Sequence, residues 1–198
     1  MAVNIEDVKR LKNLTGVGLT DAKAALDEVK GDFDKALEAM RKKGLTKAEK
    51  RGEREARAGL IGSYVHDGRI GVLVEVNCET DFVARNELFT DLVKDLGLHI
   101  AASAPQYVSS SDIPADVQAT AKAEFADKAK AEGKPAAMLD KIVDGMLAKH
   151  FAERCLLSQP YVKNPDITVD QFIKEHIAKL GENIVVRRFS RLALGEIS

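Results

Sequence analysis

The chain has 198 residues with 30 basic and 31 acidic side chains, a formal charge of −1, so it is long enough for one or two domains and too evenly charged to coat nucleic acid globally. Its two cysteines, Cys78 and Cys155, and its four histidines form no Cys-x-x-Cys pair and no metal-ligand spacing, which argues against a secreted disulfide scaffold and against a zinc site. The first residues lack a basic start before an apolar core, and no apolar run approaches the about 20 residues that cross a bilayer, so neither a signal peptide nor a membrane span is expected and a cytoplasmic location is.

Asn4, followed by Glu6 and Asp7, predicts a helix start with acidic residues at the positive end of the dipole. Ile5, Val8, Leu11 and Leu14 share its apolar face, and Thr15-Gly16-Val17-Gly18 stops it. Thr20-Asp21 opens a second helix with Leu19, Ala22, Leu26 and Val29 inward and Gly31 at its end. Asp32 caps a third, with Phe33, Ala36, Leu37 and Met40 inward, which Gly44 is expected to close. Residues 1–45 thus read as a compact three-helix bundle that looks like a ubiquitin-associated (UBA) domain. Gly16 and Gly18 turn the chain; a phosphate loop is disfavoured because no strand precedes them and no Gly-Lys-Ser/Thr follows.

Residues 46–58 read as a charged linker, and Thr46-Lys47-Ala48-Glu49 as a capping box starting a solvated helix with Gly52 as its weak point. The same charges admit an RNA-binding reading, but Glu49, Glu53 and Glu55 offer ion-pair partners and no aromatic is present for base stacking.

Residues 59–198 read as an antiparallel-sheet core with helices on one side, so the chain as a whole is α+β. Leu60 to Val65 and Arg69 to Val76 are strands joined through His66-Asp67-Gly68, a hairpin signal. Val72, Val74 and Val76 alternate to one side; Asn77, Thr80 and Asp81 then turn the chain, and Asn86-Glu87-Leu88-Phe89 opens a helix whose apolar face is completed by Leu92, Val93, Leu96 and Ile100, with His99 at its edge. Pro105 to Val108 reads as a short edge strand. A helical hairpin follows at about 114–155, broken at Gly133-Lys134-Pro135, with Leu139, Ile142, Val143, Met146, Leu147 and Phe151 as the stripe of its second helix. Gln159-Pro160-Tyr161 is extended and short, and Thr168-Val169-Asp170-Gln171 opens a helix with Val169, Phe172, Ile173, Ile177 and Leu180 that ends at Gly181. A last strand from Ile184 to about Leu194 is expected to place Arg187, Phe189 and Arg191 on one side, with the arginine stems packed on neighbours along an exposed face.

No serine elbow, Cys-His-Asn set, Walker loop or metal cluster occurs, and Glu75, Glu79 and Asp81 do not converge by necessity. An enzyme is therefore not expected, and neither a cofactor nor a metal.

The run Glu75-Val76-Asn77-Cys78-Glu79-Thr80-Asp81-Phe82-Val83-Ala84 resembles the most distinctive motif of bacterial elongation factor Ts, the guanine-nucleotide exchange factor of elongation factor Tu. The likeness includes Leu14-Thr15-Gly16-Val17-Gly18, Asp21 to Leu26, Gln159-Pro160-Tyr161-Val162 and Gly181-Glu182-Asn183-Ile184 through Phe189, in the family's order. By residue type alone Phe82 reads as a core residue closing a strand; with the motif the reading reverses, to an aromatic that enters a partner's pocket. The resemblance implies that Thr80, Asp81, Phe82 and Val83 dislodge Mg²⁺ from elongation factor Tu, and that the N-terminal module, through Val17, Gly18 and Leu19, rests on the nucleotide domain of that partner. It implies no direct nucleotide binding, no nucleic acid and no membrane partner, and, because the chain looks like the short, single-core type, a homodimer that supplies both halves. The alternative is a UBA-type protein-binding adaptor, in which the N-terminal bundle binds alone and Phe82 is irrelevant.

Overall fold

The computed structural model describes residues 3–135 and 138–196, and they fall into two compact units: residues up to Ala101 together with those from Asp170 onward, and residues Ala102–Val169. In the first unit, α1 (Ile5–Thr15), α2 (Leu19–Glu28) and α3 (Phe33–Arg51) form the N-terminal bundle. Asn4 caps α1 by accepting the Glu6 N–H, and Asp32 caps α3 by accepting the Lys35 N–H. The bundle core is small, built on Val8, Leu11, Ala22, Leu26, Ala36 and Met40. Ile5 is not part of it: its side chain is 69% exposed, and Val3, two residues earlier, packs against the core instead. Leu14 lies at the rim and is also exposed.

The third helix does not close at Gly44. It continues to Arg51, and the expected capping box is a mid-helix stretch in which the Thr46 hydroxyl donates back to the Lys42 carbonyl. Tertiary contact overrides the glycine. A Cβ on Gly44 would sit 3.4 Å from the Ala178 side chain of α8 (Val169–Leu180), Arg51 donates to the Ile177 carbonyl at 3.2 Å, and Lys174 pairs with Glu49 at 3.6 Å. Ala48 is accordingly buried rather than solvated. Gly16 ends α1 at φ +69°, and a Cβ there would meet the Lys179 Cγ at 2.6 Å, so the glycine both turns the chain and lets α8 approach.

The sheet is three-stranded and antiparallel in the order β1 (Ala58–His66), β2 (Ile70–Cys78), β5 (Ile184–Ala193). Asp67 and Gly68, both at positive φ, make the β1–β2 turn, and Arg69 N–H closes it on the His66 carbonyl. Val72, Val74, Val76 and Cys78 line one face and are buried, covered by α5 (Glu87–Ser103) through Phe89, Leu92, Val93, Leu96 and Ile100. His99 is fully buried in that layer rather than at its edge. The opposite face carries exposed Ile61, Val65, Leu73 and Leu192.

β5 departs from simple alternation. Glu75 pairs with Arg188 but Val76 with Val186, so Arg187 is an extra residue in a bulge. Arg187 therefore does not share a side with Phe189 and Arg191. Those two join the inner face opposite Val74 and Val72, where Arg191 donates to the Ala101 carbonyl and to Glu196, while Arg188 is turned outward onto Glu75 at 2.7 Å. The arginines of β5 thus do not form one exposed row.

In the second unit, α6 (Ala115–Ala131) and α7 (Leu139–Ala152) pack through Val143 and through an edge contact of Phe125 with His150. Leu139, Ile142, Met146, Leu147 and Phe151 are only half-buried. Tyr107 makes a single bridge to Cys155 instead of an edge strand at 105–108. A two-stranded ribbon, β3 (Pro160–Tyr161) with β4 (Asn164–Thr168), completes the unit; residue type gives no signal for β4, because Asn164, Pro165 and Asp166 are poor strand formers. No helix among the described residues is long and apolar enough to cross a membrane.

Candidate functional site

Strand β2 ends at Cys78, and three residues later the chain makes a single helical turn, α4 (Asp81–Ala84). Thr80 is the hinge of this corner, and all its polar atoms are engaged. Its N–H donates to Glu182 Oε2 at 3.0 Å and its hydroxyl to Glu182 Oε1 at 2.7 Å. The same hydroxyl oxygen accepts the Val83 N–H at 3.4 Å as the N-cap of α4, and the Thr80 carbonyl accepts the Ala84 N–H at 3.2 Å and the Cys78 thiol at 3.2 Å. Two charge-assisted bonds from a carboxylate 102 residues away thus fix the start of the turn.

The other end of the turn is fixed by burial. Val83 is 5% and Ala84 3% exposed, so these residues are anchors, and the side chains left to solvent are Asp81 and Phe82. Phe82 is 84% exposed, the most exposed large hydrophobic residue among those described. Asp81, Phe82, Arg85 and Asn86 line one shallow surface, with the aromatic ring flanked by an acid and a base. The expected contact residues Thr80, Asp81, Phe82 and Val83 are therefore brought together on one turn, with distinct jobs: a cap, two projecting groups and an anchor.

Val17, Gly18 and Leu19 belong to the separate α1–α2 connection. Gly18 is the N-cap of α2, Leu19 is 54% exposed, and Val17 is half-buried against the bundle core, so the apolar tip is Leu19 alone.

The segment that supports the corner carries no role that the sequence alone reveals. Gly181 ends α8 at φ +81°, and Glu182 and Asn183 follow. Asn183 is 2% exposed: its N–H donates to Glu79 Oε1 at 2.6 Å, and its side-chain amide donates to the carbonyls of Gly52 at 3.3 Å and Arg54 at 2.7 Å. Arg54 Nη1 lies 3.6 Å from Glu79 Oε1, so Glu79 is held by a backbone donor and a cation. Glu75, Glu79 and Asp81 therefore do not form an acid pair: Glu75 belongs to Arg188, Glu79 to Asn183 and Arg54. Burial, followed by the charge of Glu182, pushes the Cys78 thiol up to about 11, so it is a neutral donor at this corner. Among the described residues no group of three His, Cys, Asp or Glu side chains is placed to hold a metal ion.

A family model described as Elongation factor TS matches residues 2–196. Elongation factor Ts of Geobacter sp. (strain M21) is 51% identical over 197 residues, covering 99% of this chain and 91% of that protein. Elongation factor Ts of Geobacter metallireducens is 52% identical over 197 residues with the same coverage, and that of Moorella thermoacetica is 52% identical over 191 residues, covering 96% of this chain and 94% of that protein. The chain belongs to the elongation factor Ts family and is a translation elongation factor.

Proposed function

We propose that this chain is a guanine-nucleotide exchange factor that binds elongation factor Tu in its GDP form, displaces Mg²⁺, promotes GDP release and leaves when GTP binds. The observation that carries the reading is Phe82, left almost wholly in water on a turn whose two ends are fixed. Burying such a ring in a partner is worth about 1.5–3 kcal/mol, and a side chain with few rotamers loses little freedom in doing so. A GTPase holds its nucleotide largely through Mg²⁺ and a loop of backbone amides. A wedge that shifts the groups positioning that ion weakens the nucleotide without any catalytic group. Asp81, beside the ring, supplies an anion for backbone amides or a basic side chain of the partner and keeps the wedge in register.

Linkage supplies the cycle. If the factor weakens nucleotide binding, nucleotide weakens the factor by the same ratio, so GDP leaves from a ternary complex and GTP expels the factor. The chain itself binds no nucleotide and acts in the cytoplasm as a binding protein rather than an enzyme. Residues 1–45 are a UBA-like module that docks on the nucleotide domain of elongation factor Tu through Val17, Gly18 and Leu19, and exposed Leu19 supports that placement. The chain works as a homodimer; the open sheet face of Ile61, Val65, Leu73 and Leu192 supports this, since a second copy covers it in kind.

The test is the release of a fluorescent GDP from elongation factor Tu in stopped flow, with and without this protein. Acceleration by orders of magnitude is expected, reversed by excess GTP. Release at the intrinsic rate at every concentration of the protein overturns the proposal and favours the adaptor reading.

A further inference from the structure

We infer that Glu182 is a positioning residue for nucleotide exchange: its carboxylate, delivered from the turn after α8, clamps Thr80 and so holds Asp81 and Phe82 in the geometry that enters the partner. The inference rests on the exchange reading above and assigns a role to the Gly181-Glu182-Asn183 segment, which that reading leaves without one.

Phe82 lacks support of its own. Its ring is 84% exposed, so its own packing does little to hold it, and α4 is a single turn of four residues, too short to be stable by its own hydrogen bonds. An aromatic on a wandering turn must be ordered at the moment of docking, and that ordering subtracts from the work it can do on the partner. The turn is ordered beforehand by its cap. Thr80 caps α4 only while its hydroxyl oxygen faces the Val83 N–H, and the rotamer is set by Glu182 Oε1 accepting that hydroxyl's proton at 2.7 Å while Oε2 accepts the Thr80 N–H at 3.0 Å. Both oxygens of one carboxylate are thus spent on one residue.

The carboxylate is itself held. Asn183, the next residue, is tied to Glu79 Oε1 and to the carbonyls of Gly52 and Arg54, and Ile184 enters β5 beside Cys78. Two reciprocal ties therefore cross the same gap: Glu182 reaches to Thr80, and Glu79 reaches back to the Asn183 N–H. The α8–β5 turn and the β2–α4 corner are thus tied to each other from both sides.

The experiment compares wild type, Glu182→Ala, Glu182→Gln, Thr80→Val and the Glu182→Ala/Thr80→Val pair in GDP release from elongation factor Tu, over a range of factor concentrations, with Phe82→Ala as the control. Glu182→Ala is expected to lower the release rate at saturating factor by about 10- to 100-fold, with a smaller change in the half-saturating concentration because the remaining contact surface is intact. Glu182→Gln retains an acceptor for the Thr80 N–H and donates its amide to the hydroxyl oxygen, so it restores most of the rate. The double variant is no slower than the slower single one. A saturating rate for Glu182→Ala within twofold of wild type, or losses that multiply in the double variant, overturns the inference. A second readout needs no partner: in the ¹⁵N spectrum of the full chain, the Thr80 amide of Glu182→Ala loses its downfield shift and its exchange protection while those of Val74 and Leu96 are kept. An unchanged Thr80 amide overturns the clamp even if the rate falls. If wild type itself fails to accelerate release, the exchange reading and the rate role fall together, and the amide result still decides whether the clamp exists.

Discussion

Replacing Asn183 by alanine removes the donor that joins the end of α3 to the start of β5. The side chain is 2% exposed and donates to two carbonyls, Gly52 at 3.3 Å and Arg54 at 2.7 Å, while its backbone N–H continues to reach Glu79. Each lost bond is worth about 0.5–1.5 kcal/mol, so Asn183→Ala should destabilise by about 1–3 kcal/mol in total, with the longer Gly52 contact contributing less. For a protein of this size the urea slope is about 2 kcal/mol per molar, and the midpoint should fall by about 0.5–1.5 M at constant slope. Asn183→Asp should be worse than alanine, because it places a carboxylate against two carbonyls and close to Glu79, a like charge. Urea titration followed by circular dichroism measures both. A midpoint for Asn183→Ala within about 0.2 M of wild type, or aspartate tolerated as well as alanine, would refute the argument that this amide ties the segments.

Three further outcomes follow from other parts of the fold. Burial holds His176 below its ordinary value of 6.5 despite the acceptor offered by the Phe172 carbonyl, so the unfolded chain binds a proton at this residue more readily than the folded one. Its contribution is full above pH 6.5 and is lost as pH falls from there to the lower folded value, at up to about 1.4 kcal/mol per pH unit; His176→Gln should flatten that part of the stability profile, and an unchanged profile refutes the assignment. Cys78 and Cys155 are both buried with raised pKa values, so a thiol reagent at pH 7.5 should label neither in the native protein and both after unfolding; rapid native labelling of either contradicts the packing of its site. Leu73→Lys places a charge in the middle of the open sheet face and should shift sedimentation from dimer to monomer without lowering helix content, whereas a wild-type chain that sediments only as a 21.6 kDa species at micromolar concentration removes the homodimer from the account.

Local chemistry made much of this fold legible. Asn4 and Asp32 are caps whose side chains serve backbone donors two or three residues away, and Asp67-Gly68 demands a turn with positive φ, so neither needs knowledge of the rest of the chain. The misreadings occur where distant contact decides. Gly44 stays helical because α8 lies against it, and Thr46 bonds back to Lys42 instead of capping. The bulge at Arg187 is set by pairing with β2, and it reverses which arginines of β5 face inward. At the candidate site the motif draws attention to Thr80 to Val83, but the split between projecting Phe82 and buried Val83 is visible only in the fold, and Glu182 lies 102 residues from its partner with no periodicity linking the two.

The proposed exchange function requires exposed Phe82 to do work on a partner rather than on its own core, and GDP release from elongation factor Tu with Phe82→Ala beside wild type measures this directly. At 84% exposure the ring contributes little to folding, so the variant should match wild type in circular dichroism and in urea midpoint to within about 0.5 kcal/mol. Its saturating release rate should nevertheless fall by at least about tenfold, the loss that about 1.4 kcal/mol of missing wedge contact produces. A Phe82→Ala protein that unfolds at markedly lower urea, or that releases GDP as fast as wild type, contradicts the account.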